Sequence, residues 1–141
     1  MRPFAEPSPQ ELREVKTADL IGAALDWALA DVEGLNPYLV APHYGNPWRV
    51  FIPQQGEALQ WGKRFNAGES MEIFGQLLNR HVAMVRHYPE AQATSKGSAR
   101  VVSAGEVHWE TGPTPAIALY RAVVRARVGD VARVPAQLLT C

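Results

Sequence analysis

The pattern of apolar and polar positions separates three helical stretches from several short extended ones. Leu20, Ile21, Ala24, Leu25, Ala28, Leu29 and Val32 recur at helical spacing. Thr17 before them suits an N-cap, and Gly34 after them suits a left-handed C′ position. The spacing predicts a helix over 18–33, with Asp26 and Glu33 on its other face and Trp27 at the margin. Behind a capping Ser70, the positions Met71, Phe74, Leu77, Leu78, His81, Val82 and Val85 form a second stripe. They predict a helix over 70–87 that stops before Pro89. Gly75 weakens it, and a strand at 82–88 is the competing reading. The third helix, over 115–128, has Thr114 as N-cap, Pro115 at the first helical position and Gly129 as terminator. Ala116, Leu119, Tyr120, Val123 and Val124 form its core face.

Between these helices, the β-rich runs 38–41 and 48–52 flank the turn-forming "PHYGNP" and predict a hairpin. Pro37, Pro42, Pro47 and Pro53 bracket it and suggest edge positions. "QQGEALQWGKRFNAG" has no sustained period and reads as a loop. A second hairpin is expected from 99–103 and 106–110 across "SAG", and a last short strand around Val131 and Val134. Pro3, Pro7 and Pro9 make residues 1–15 a flexible N-terminal arm, leaving 16–141 as a single globular domain. The expected class is α+β, with two or three helices packed on one side of a small, mainly antiparallel sheet. If the last strand returns beside the second hairpin, the 112–115 corner lies close to the strand at 106–110.

Composition narrows the function classes. Fourteen basic residues balance fourteen acidic ones. The chain therefore has no net field to concentrate on nucleic acid or an anionic membrane, although a local basic patch remains open. Neither a secretory signal nor a spanning segment is read, which makes the cytoplasm the expected compartment and a membrane partner unexpected. The single cysteine, Cys141, supports neither a disulfide framework nor a thiolate metal site. The helix over 115–128 is apolar nearly all round, broken mainly by Arg121, Arg125 and Arg127. A helix of that kind must be covered on most sides, so a homodimer is expected.

Two segments carry a resemblance. "LIGAALDWALADVEG" and "GPTPAIALYRAVVRARVGDVARVP" resemble the two signatures of the NinX-like proteins of bacteriophages and prophages. The matching residues are Ala24 to Ala28, Glu33 and Gly34, then Gly112 to Pro115, Ala118, Arg121, Gly129, Asp130, Val134 and Pro135. Family members often carry a Ser-Thr-Asp-Trp segment followed by Gly-Gly-Pro in the middle. Here "YGNPWRVFIP" and "LQWGKRFNAG" depart from that pattern. The resemblance implies phage origin and a bacterial host cytoplasm, and it implies no particular reaction.

The candidate ligand-binding residues are Asp26, Trp27, His108, Trp109, Gly112, Thr114 and Arg121. "GPTP" before a helix invites an anion-site reading, since helix N-termini offer free N–H donors. Two of its four residues are prolines without that donor, and the Gly-Lys-Ser/Thr of a phosphate loop is absent, so a well-made helix start is the stronger reading. Asp26 and Trp27 are unusual in mid-helix, although a solvated carboxylate and a core indole explain them too. His43, His81, His87 and His108 form no His-x-x-x-His pair, so no metal site is expected, and His81 reads as a satisfied core or interface residue. No cofactor motif is present. The expected function is that of a phage accessory protein, a non-catalytic binding module for a host protein or a small anionic, nucleotide-like ligand. One alternative is a small hydrolase or transferase using Asp26 and His108 as an acid–base pair. A nucleic-acid accessory factor is the other, and the neutral charge counts against it. The two signatures are expected to meet, with the 112–115 corner against helix 18–33 near Asp26 and Trp27.

Overall fold

The computed structural model describes residues 11–53 and 62–139. The element order is β1 (Leu12–Lys16), α1 (Gly22–Val32), β2 (Tyr38–Val40), β3 (Arg49–Pro53), β4 (Gly62–Arg64), α2 (Met71–Arg80), β5 (Met84–His87), β6 (Gly97–Ser103), β7 (Glu106–Gly112), α3 (Pro115–Val128) and β8 (Val131–Pro135). Three-residue 3-10 turns occupy Thr17–Asp19, Ala67–Glu69 and Ala93–Ser95. The class is α+β, and all strand pairing is antiparallel, divided among three small sheets ordered β1-β8, β2-β3-β4 and β5-β6-β7.

Helix α3 sits at the centre. It packs on the inner face of β5-β6-β7, against α1, and against β8. Leu119, Tyr120, Val123 and Val124 are at most 1% exposed, and they join Leu20, Leu29, Val101 and Val134 in one core. The cover that a nearly all-apolar helix requires is thus supplied from within the chain. Gly97 and Gly112 face each other in the β6–β7 register. A Cβ on Gly97 would lie 2.3 Å from the Thr114 carbonyl carbon, and one on Gly112 would lie 2.9 Å from Ile117 Cγ2. This glycine pair lets the start of α3 rest directly on the sheet.

Several boundaries differ from the sequence expectations. Residues 12–15, assigned to the arm, form most of β1, paired with β8 from Leu12↔Pro135 to Lys16↔Val131; Pro3, Pro7 and Pro9 lie outside the described residues. The last strand accordingly pairs with β1 and not beside the second hairpin. Thr17 does not cap α1. It is fully buried, its hydroxyl donates to the Gly129 carbonyl at 2.7 Å and its N–H to the Asp130 carbonyl at 2.8 Å. The helix starts only at Gly22, without a side-chain cap. Within the stretch read as a loop, residues 62–64 form β4, the third strand beside β3.

The second helix ends at Arg80, and the competing strand reading holds beyond it, where β5 begins at Met84. The Ala83 N–H reaches back to the Leu78 carbonyl and closes the helix with Val82 left-handed at φ 47°. A β-branched residue at positive φ is unusual, so this stop carries no glycine signal. Gly75 lies inside α2 with nothing within 4 Å of where its Cβ would be. Gly75→Ala is therefore expected to raise stability by about 0.5–1 kcal/mol, read as a higher urea midpoint. An unchanged midpoint would show that the backbone entropy of this helix does not limit the fold.

Candidate functional site

The "GPTP" corner resolves into construction. Thr114 Oγ1 accepts the Ile117 N–H at 3.1 Å, Pro115 opens the helix, and Gly112 is consumed by close packing. One of the donors an anion would need is already taken. Thr114→Ala is expected to cost about 0.5–2 kcal/mol, checked by chemical denaturation. A loss of ligand binding without a loss of stability would instead make the corner a contact site.

The two signatures do meet, through a residue whose role the sequence left ambiguous. Arg121 is 8% exposed. Its Nε donates to the Leu20 carbonyl just before α1, and its Nη1 donates to the Thr111 carbonyl just before the corner, both at 2.8 Å. Burial lowers its pKa, and the charges of Glu110 and Asp19 oppose that. Beside it, Arg125 Nε donates to the buried Glu110 at 2.6 Å and its Nη1 to Asp130. Arg121 thus fastens the head of α1 to the end of β7, with two of its donors committed to main chain. The link between the corner and the first signature thus falls at Leu20, ahead of α1, and not beside Asp26 and Trp27 as expected, because the buried guanidinium reaches a main-chain carbonyl on each side there.

Asp26 and Trp27 lie further along α1. Trp27 is half-buried against the core. Asp26 Oδ1 accepts the Ala67 N–H at 3.1 Å, while Tyr120 donates its hydroxyl to the Ala67 carbonyl at 2.9 Å. Helices α1 and α3 thereby hold both polar groups of one peptide residue at the 3-10 turn after β4. Burial pushes the Asp26 pKa up to about 7, against the Ala67 hydrogen bond and the charge of Arg64 and with the charge of Glu69. Burial, helped by Asp26, pushes Tyr120 up to about 12. No hydrogen bond or ion pair joins Asp26 to His108 among the described residues. His108 lies on the α3-facing side of β7, with Glu106 Oε1 as its nearest carboxylate oxygen at 3.9 Å.

Strand alternation turns the next residue outward. Trp109 is 58% exposed on the side of β5-β6-β7 opposite α3. It pairs across β7–β6 with Arg100, which pairs across β6–β5 with Met84. Val102 and Val107 continue the face in one direction, both exposed. In the other direction it runs through Arg86, Ser98 and Thr111. No described element packs on this side. The Nε of Arg100 is itself buried and has no hydrogen-bond partner among the described residues. Sequence reasoning found Trp109 and missed Arg100 and Arg86. The signal that could have found them is the register of the second hairpin, which places alternate residues of both strands on one side.

A second polar feature lies where the three helices end. A cleft of about 490 Å³ is lined by Asp31, Glu33, Arg80, His81 and Arg127, among others. Glu33 is engaged by Arg80 and by His81 Nε2, the latter at 3.1 Å. His81 is therefore satisfied, as its place on an apolar stripe suggested. These charges largely answer one another, and of the cleft's described residues Arg127 alone keeps an uncommitted cation. No three His, Cys, Asp or Glu side chains cluster for a metal among the described residues. No described helix is long and apolar enough to cross a membrane.

No curated protein matches the chain. The family described as "Bacteriophage P22, NinX" matches residues 16–127, from the last residue of β1 to the last turn of α3, taking in all of the first signature and the second as far as Arg127. This chain, with its two signatures fastened by Arg121, belongs to that phage family.

Proposed function

We propose that this phage accessory protein is a non-catalytic binding module of the bacterial host cytoplasm. Its contact surface is the open face of β5-β6-β7, and its ligand is anionic and nucleotide-like. The observation that carries this reading is the pairing of Trp109, 58% exposed, with Arg100 directly across the strands. An indole face can stack on a base, and a guanidinium beside it can meet a phosphate. Four of the other candidates have structural work that accounts for them: Arg121 and Thr114 hold α3, Gly112 seats it, and Asp26 fixes a turn.

The test is native mass spectrometry of the protein purified from host cells, with tryptophan fluorescence during titration with AMP and GMP. Retained nucleotide, or quenching that Trp109→Ala abolishes, is the expected result. Absence of both at millimolar nucleotide would overturn the ligand class, and a stoichiometric protein partner lost on Trp109→Ala would reassign the surface to a host protein.

A further inference from the structure

We infer that the open face of β5-β6-β7 is a track for single-stranded nucleic acid, with bases on Trp109 and Tyr88 and phosphates at Arg100 and Arg86. This rests on the reading of that face as a site for an anionic, base-bearing ligand, and it extends the ligand from one nucleotide to a chain of them.

The face continues past the last paired residue of β5. The Tyr88 N–H donates to the Lys96 carbonyl at 2.7 Å, carrying the ladder one step further. Alternation then places Met84, Arg86 and Tyr88 on the same side as Trp109. The Tyr88 side chain is tied to Arg86 and Ser98, whose hydrogen bonds lower its pKa. Both neighbours belong to the open face, the side on which alternation places the ring. Tyr88 and Trp109 stand on the two outer strands, about 10 Å apart across the sheet and about 14 Å apart along it, from ordinary strand spacings. One nucleotide cannot reach both rings, whereas a short chain can.

Charge complementarity names the partner's sign. Among the described residues, the open-face positions of the three strands carry Arg86 and Arg100 and no carboxylate. Along the diagonal from Trp109 to Tyr88 both cations lie between the two rings, where the phosphates linking a base on one ring to a base on the other would run. Aromatic faces can stack only on bases that are free of a duplex, which selects single strands. The overall neutrality of the chain sets the character of the binding. Stacking dominates, and only two phosphates are neutralised, so log K should fall with log salt at a slope of about −1.4.

The experiment is fluorescence anisotropy of end-labelled dT12 and U12 with the full chain, with dTMP and UMP as competitors and a 12-base-pair duplex as comparison. Expected are binding of at least one single strand more than tenfold tighter than of its mononucleotide, weak duplex binding, and the shallow salt slope. Trp109→Ala should reduce affinity by roughly tenfold and Trp109→Phe should restore part of it, since each stacked base contributes that order. Arg100→Gln and Arg86→Gln should each reduce the slope by about 0.7. Oligomers that bind no tighter than mononucleotides, while mononucleotides still quench Trp109, would overturn the track and leave the nucleotide-like reading standing. Failure of oligomer and mononucleotide alike would remove both. Equal affinity for duplex, or Trp109→Ala and Arg100→Gln variants that bind as the parent does, would also overturn the track.

Discussion

Arg121→Ala is expected to destabilise the protein by about 3 kcal/mol, a larger loss than for Thr114, Asp26 or Arg127. Arg121 is the only described side chain that donates to both the Leu20 and the Thr111 carbonyls. Truncation leaves both acceptors without their donors. Leu20 is wholly buried, so water cannot replace the lost bond without opening the core. An unmet buried acceptor costs about 1–3 kcal/mol, and the lost packing of the side-chain stem adds to it. Arg121→Lys should recover at most about half, because an ammonium is a compact point charge and lacks the rigid fork that reaches two segments at once. The measurement is urea denaturation, with Arg127→Ala as comparison. That exposed substitution should stay within about 0.5 kcal/mol. A loss below about 1 kcal/mol for Arg121→Ala would show that the two signatures are held together by other contacts.

Asp26→Asn should leave stability unchanged at low pH and raise it at high pH. The folded carboxyl titrates near 7 against an ordinary 3.8, because burial disfavours its charge. A raised folded pKa means that the native state binds the extra proton between these values. The contribution of Asp26 is fully present below about pH 4 and is lost as pH rises through about 7. The limiting slope is ~1.4 kcal/mol per pH unit, reduced by the partial exposure of the side chain. Asn retains the oxygen that accepts the Ala67 N–H and cannot ionise. At pH 4 the variant should match the parent, and at pH 8 it should be more stable by about 2 kcal/mol. Parallel stability curves from pH 4 to 8 would show that Asp26 is solvated in solution. A variant that is more stable at pH 8 yet fails to bind would return Asp26 to the functional site.

Much of the chain was legible without coordinates where local chemistry and burial agree. The Thr114-Pro115 start and Gly129 end of α3, the turn after Ser103, and the Ser70 cap of α2 are all present as read. Each depends on one or two residues whose backbone preferences act within a turn. The same reasoning failed where a distant partner decided the outcome. Thr17 has a capping side chain, but its hydroxyl is taken by Gly129, at the far end of α3. Residues 12–15 have no strong strand pattern, and β8 gives them one. The 62–64 segment becomes a strand because β3 has an unpaired edge beside it.

The candidate site divides along the same line. The sequence by itself determined the class, the three helices, the two hairpins and the family, because apolar periodicity and turn residues are local and the two signatures are contiguous. It could also nominate Arg121, Asp26 and Trp109 as uncommon residues. It could not say which of them faces inward, because that depends on what packs against each element. Only the tertiary structure decided that Arg121 is a buried clasp, that Asp26 holds a turn, and that Trp109 stands with Arg100 on a sheet face that no described element covers. The physical reason is that a polar or aromatic side chain gains or loses its availability to a ligand through desolvation and hydrogen bonding. Those are supplied by residues far away in the chain.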